Sequence, residues 1–185
     1  MFRLHPITAG IAAAWLAVAG AAAQDAPSTP AEGGQAQIGR VDREFMQNAA
    51  QAGRARMEAS RLALSKSTDA DLKGFAQRLI DDQTRANAQL RRIAQTKGVD
   101  VPSEASLAHK IKLQLLEFAN GADFDQRYAD DFGVEAHRET IELYAQAVEE
   151  TRDPQVKAFA RETLPKLQEQ LETAQALRAG VQPGR

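Results

Sequence analysis

Residues 71–98, "DLKGFAQRLIDDQTRANAQLRRIAQTKG", decide the fold. Leu72, Phe75, Ala76, Leu79, Ala86, Leu90, Ile93 and Ala94 recur at three- and four-residue spacing. That period places them on one face of a long helix. Thr68 with Asp71 fits a capping box before it, and Gly98 stands where a glycine ends a helix. One position breaks the stripe. Gln83 falls where a leucine is expected, just after Asp81 and Asp82 and one turn before Asn87.

Three further stretches repeat the pattern. Residues 42–66 carry Phe45, Ala49, Ala52, Ala59, Leu62 and Ala63 on one face, with Asp42 as an N-cap. Residues 123–151 open on Asp123 with Gln126 three positions on, a second capping box. Their stripe is Phe124, Tyr128, Asp131, Val134, His137, Ile141, Tyr144 and Val148. The last helix opens on Asp153-Pro154, a cap followed by proline at the first helical position. It runs through Val156, Phe159, Ala160, Thr163, Leu167, Gln170, Leu171 and Ala174 to Leu177. Pro165 removes one backbone N–H and frees the carbonyl of Arg161, so a bend is expected there. A crossover of about two dozen residues, with a short helix in "LAHKIKLQLLEFANG" (107–121), separates the second and third long helices.

Amphipathic helices of this length must bury their stripes against one another. The expected fold is all-α: an antiparallel, ferritin-like four-helix bundle over residues 41–179, with a short crossover helix between the second and third. Residues 24–40, rich in Pro, Gly and small polar side chains, read as a flexible linker, and 180–185 as a tail. Residues 1–23 combine Arg3, an apolar run from Ile7 and a small-residue end at Ala21-Ala22-Ala23. This is a signal peptide pattern, with a membrane anchor as its rival. Its removal leaves 22 basic against 25 acidic residues, a net charge of −3. No other apolar run is long enough to span a bilayer, so the mature chain is expected to be exported and periplasmic.

Composition excludes several functions. The chain has no cysteine, which removes thiolate catalysis, iron–sulfur clusters and Cys-ligated zinc. A net charge of −2 over 185 residues gives no basic surface for nucleic acid. No dinucleotide, P-loop, zincin or hydrolase motif is present. The polar positions on the inward faces are the informative ones: Arg56, Gln83, Asp131, His137 and Gln170. They form a candidate polar-core or ligand site, at which Arg56 favours an anionic group. A dinuclear carboxylate centre needs Glu-x-x-His, but Val134 stands three before His137. Gln83 and Gln170 are neutral amides, and Arg56 repels a cation. Iron or manganese is therefore the minor alternative, resting on His137, Asp131 and Glu58, and no cofactor is expected. A Ser60, His137 and Asp131 grouping has nothing to order it as a catalytic triad, so no enzyme is expected. His109 reads as a surface residue.

The segments "DREFMQNAAQAG" (42–53), "EASRLAL" (58–64), "DLKGFAQRLIDDQTRANAQL" (71–90), "FDQRYADDFGVEAHRETIELY" (124–144) and "DPQVKAFARETLPKLQEQLETAQAL" (153–177) resemble, in order and spacing, the bacterial domain of unknown function 4142. The resemblance covers about residues 42–178 and implies a ferritin-like helical fold, export, and no established activity. Where the family pattern carries a Glu and three histidines, this chain has Arg56, Gln83, His137 and Gln170, so only His137 matches. If those histidines hold a metal in the family, the resemblance implies its loss here. Glutamine keeps size and hydrogen-bonding capacity but drops the titratable nitrogen. The expectation is a non-catalytic interaction or envelope-stress protein, with small-ligand binding and degenerate metal binding as alternatives. Its partner is an envelope protein or a second copy.

Overall fold

A computed structural model describes residues 38–181. The expected signal peptide, residues 24–37 of the linker and residues 182–185 of the tail lie outside the described residues. Those described are helical, without a strand. Helix α1 spans Arg40–Lys66, α2 Ala70–Thr96, α3 Leu107–Phe118 and α4 Gly121–Arg127. A π-helical segment, Tyr128–Glu135, continues α4 into α5, Ala136–Glu150, and α6 spans Pro154–Gly180.

The two short connections set the pairing. α1 lies along α2 and α5 along α6, while α1 also meets α5 and α2 meets α6. Asp69 caps α2, its Oδ1 accepting from Leu72 N at 2.9 Å, and Asp153 caps α6 by accepting from Gln155 and Val156 N. Gly98 adopts φ +63° after α2, the left-handed conformation that ends a helix. α6 continues through Pro165.

Three expected caps are not where sequence placed them. α1 begins earlier, with Gly39 at the N-cap position. Asp42 lies inside its first turn, buried, and its Oδ1 accepts from the backbone N of Arg152 (3.1 Å) and Asp153 (3.0 Å). It satisfies donors at the α5–α6 turn, 110 residues away in sequence. Thr68 is exposed, one residue before the true cap. Asp123 lies inside α4 and pairs with Arg127, while Gln126 donates to Asp130 Oδ2 at 2.7 Å.

Two apolar clusters fill the interior. One gathers Leu72, Phe75, Leu79, Phe124, Tyr128 and Phe132. The other gathers Phe45, Leu90, Tyr144, Val156, Phe159 and Leu167, with Phe45 edge-on to Tyr144 at 5.0 Å between centroids. Each long helical stretch passes from one cluster to the other, and a polar residue lies at the crossing or, for Arg56 after Ala55, next to it. Arg56 falls between Ala50 and Ala59, Gln83 between Leu79 and Leu90, His137 between Val134 and Tyr144, and Gln170 between Leu167 and Ala174. A thin polar layer thus divides the core.

Candidate functional site

The polar layer is built around Arg56. The residue is 3% exposed and its Nη2 donates to Gln83 Oε1 at 2.8 Å. Gln83 Nε2 then donates to Asn87 Oδ1 at 2.9 Å, and Asn87 Nδ2 reaches Met57 Sδ at 3.4 Å. Asn87 sits one turn after Gln83 in the sequence, which is the signal that links them. Gly53 makes room for this chain, since a Cβ there would lie 2.2 Å from Gln83 Nε2.

Arg56 Nε and Nη1 are buried with no hydrogen-bond partner. No carboxylate lies within salt-bridge distance of Arg56 among the described residues. Burial lowers its pKa, opposed by Tyr144, yet a guanidinium stays protonated at neutral pH. One hydrogen bond to a charged group contributes roughly 1.5–3 kcal/mol, whereas desolvating the charge costs several. Gln83 alone leaves the cation under-compensated.

Arg56 lines a cleft of about 340 Å³ between α1, α3 and the π-helical end of α5. Asp131, Phe132, Thr140, His109, Lys112 and Glu139 also border it. The volume suits a small molecule. His109, expected on the surface, is half-buried here, with Nδ1 2.8 Å from Ser106 Oγ. Burial lowers its pKa against the opposing pull of Glu139. Lys112 Nζ reaches Glu135 at 3.2 Å and Glu139 at 3.3 Å. Burial, then the charge of Glu135, raises the pKa of Asp131.

His137 lies beside Phe75, 6.1 Å between centroids, and is fully buried. Its Nδ1 is 2.5 Å from the carbonyl of Gly133. A carbonyl only accepts, so Nδ1 carries the proton and Nε2 is left as an acceptor without a partner. Burial, then the charge of Arg56, pushes its pKa down to about 3. Gln170 donates to Asp82 Oδ2 at 2.8 Å across the α2–α6 contact, and its side chain lies beside the His137 ring.

The five expected site residues are therefore divided. Arg56 and Asp131 border the cleft, Gln83 holds Arg56 from within, and Gln170, bonded to Asp82, lies beside His137, which is sealed in the core. Ser60 pairs with Tyr128 Oη at 3.0 Å and not with His137. Among the described residues no group of three or more His, Cys, Asp or Glu is placed to hold a metal.

The π-helical segment explains why Asp131 reaches the cleft. Ala136 N donates to Asp131 O, five residues back, so this turn holds one residue more than an α-turn. Phe132, Gly133 and Val134 are buried, while Asp131 rotates outward. Gly133 sits close against α6, where an added Cβ would lie 3.4 Å from Ala174 Cβ.

The fold and the cleft define a small all-α domain with a buried cation beside an accessible hollow. The chain belongs to the family described as Domain of unknown function (DUF4142), which it matches over residues 27–177. Solved structures share the fold at low identity. A DUF305 fragment from Deinococcus radiodurans superposes with a TM-score of 0.69 and 12% identity, covering 77% of this chain and 98% of that one. A DUF305 protein from Streptomyces coelicolor, provisionally assigned as secreted, gives 0.65 and 15%, covering 78% and 97%. CopM in its Cu(I)-bound form gives 0.63 and 17%, covering 75% and 96%. No curated protein matches the sequence.

Proposed function

We propose that the protein is an exported, non-catalytic helical bundle that holds a small anionic ligand in the cleft beside Arg56. In this reading the four long helical stretches form a ferritin-like bundle, and the connection carrying α3 reverses the second hairpin. One observation carries the ligand: Arg56, 3% exposed, borders a hollow with two donor nitrogens, Nε and Nη1, unpaired. A carboxylate or phosphate oxygen placed there supplies both the charge and the acceptors that Gln83 does not. Export rests on residues 1–23. It accords with the Streptomyces relative and with the lack of a bilayer-spanning helix among the described residues.

The test is a thermal-shift panel of small carboxylates and inorganic phosphate on the purified protein. At least one anion should raise the melting temperature saturably, since a ligand at one hundred times its Kd stabilises by about 2.7 kcal/mol. The Arg56→Met variant should not respond. An anion response that survives in Arg56→Met, or no response to any anion at millimolar concentration, refutes the reading.

The copper-bound CopM structures raise a metal alternative. The donor set favours the anion instead. His137 offers one free nitrogen and meets no carboxylate, and the equivalents in α2 and α6 are glutamines. Elemental analysis of protein taken from its native compartment should give iron, manganese and copper below stoichiometry. A full equivalent of metal that is lost in His137→Ala would overturn this.

A further inference from the structure

α3 is apolar on two sides. Leu113 and Leu116 face the core and are buried. Leu107, Ile111, Leu115 and Phe118 are exposed at 75%, 53%, 58% and 75%. At 100° per residue these four fall within an arc of about 80°, on the side away from the core. They are four of the five large hydrophobic side chains exposed in the described residues, the fifth being Val41. A contiguous apolar stripe of this kind marks a contact surface.

The charges beside the stripe select its occupant. Lys110, Gln114 and Glu117 share one flank, and Glu117 has no ion pair among the described residues. Lys110 pairs with the exposed Glu104 and can be shared. When two such helices pack antiparallel about a two-fold axis, identical flanks face each other. One register then satisfies every position. Ile111 meets Leu115 of the second copy, Leu107 meets its Phe118, and Lys110 meets its Glu117, with the two Gln114 side chains near the axis. A bilayer surface would favour a flank of Lys and Arg alone, but this flank carries both signs.

We infer that the outer face of α3 is a homodimer interface, in which two copies pack their α3 helices antiparallel in this register. The patch is one helix wide, which places the contact at the small, concentration-dependent end of specific interfaces.

Sedimentation equilibrium over a range of concentrations tests this, and the result expected is a reversible monomer–dimer equilibrium. Ile111→Glu should weaken it at least tenfold with an unchanged far-ultraviolet circular dichroism spectrum, since Ile111 lies outside the core. Lys110→Glu should weaken it, and Lys110→Glu with Glu117→Lys should restore it. The chain lacks cysteine, so a single Gln114→Cys should form a covalent dimer on mild oxidation. Glu142→Cys, exposed on another face, should not. A protein that stays monomeric to millimolar concentration, a dimer indifferent to Ile111→Glu, or a charge swap without rescue overturns the proposal. So does a monomer that pellets with phosphatidylethanolamine–phosphatidylglycerol vesicles through Ile111, which would make the face a membrane contact.

Discussion

Arg56 is the residue on which the interior turns. Its one partner is the neutral amide of Gln83, so the two ends of that bond should respond differently to removal. Gln83→Leu strips the buried guanidinium of its remaining acceptor. It should destabilise the ligand-free protein by about 3 kcal/mol in urea unfolding. Arg56→Met removes the charge itself and fills the space with an unbranched side chain. Its ligand-free stability should equal or exceed the wild type. An equal loss in both variants would show that Arg56 is already compensated. His137 makes a pH statement. Its folded pKa, about 3, lies below the 6.5 of an unperturbed imidazole. Between those values the unfolded chain binds the extra proton, so stability falls as pH drops from 6.5 toward 3. The slope from this group approaches 1.4 kcal/mol per pH unit. His137→Gln should lose that part of the acid sensitivity, read as a flatter plot of unfolding free energy against pH.

At the scale of the element, Asp42 shows how a helix terminus becomes a clasp. Its carboxylate accepts two backbone N–H groups at the α5–α6 turn, and it is itself buried. Asp42→Ala leaves both donors unmet and should cost about 2–3 kcal/mol. A loss limited to a few tenths, as for a local cap, would refute the clasp. This is where sequence reading stops. Asp42 before an apolar run is a legitimate cap signal, and only the packing of a turn 110 residues later claims it instead. The long helices themselves were legible, because a stripe repeated over seven turns outweighs any single cap. The Asp153-Pro154 start was legible for the same local reason, the cap needing nothing beyond its own turn. The π-helical segment was not. A regular helical period through residues 124–148 puts Asp131 on the inner stripe and leaves Phe132 off it, but Phe132 is buried and Asp131 borders the cleft. No residue propensity marks an i→i+5 turn, so nothing local in the sequence announces it.

For the whole molecule, two apolar clusters joined through one polar layer give a core whose specificity and stability reside in different places. The aromatic clusters supply the burial. Arg56, Gln83 and Asn87 tie α1 to α2, whereas the polar contacts Ser60–Tyr128, Asp82–Gln170 and Asp42 with the α5–α6 turn fix how the two hairpins meet. As inward polar residues the sequence pointed to Arg56, Gln83 and His137 but not to Asn87, which completes the Arg56–Gln83 network, nor to the buried Asp42 and Thr140. It did not point to the division of the expected site residues between cleft, core and the α2–α6 contact, which depends on side-chain reach that spacing does not encode. The π-helical turn carries a last consequence, for comparison across the family. It absorbs one extra residue between Tyr128 and Glu135 while the helix runs on unbroken. A relative lacking that residue would span the same distance with a regular α-turn. Gap-free alignment of the two would place every residue after the turn about 100° out of phase, against the wrong neighbour. At identities of 12–17%, matching His137 to a relative's histidine therefore calls for a one-residue gap test at this turn.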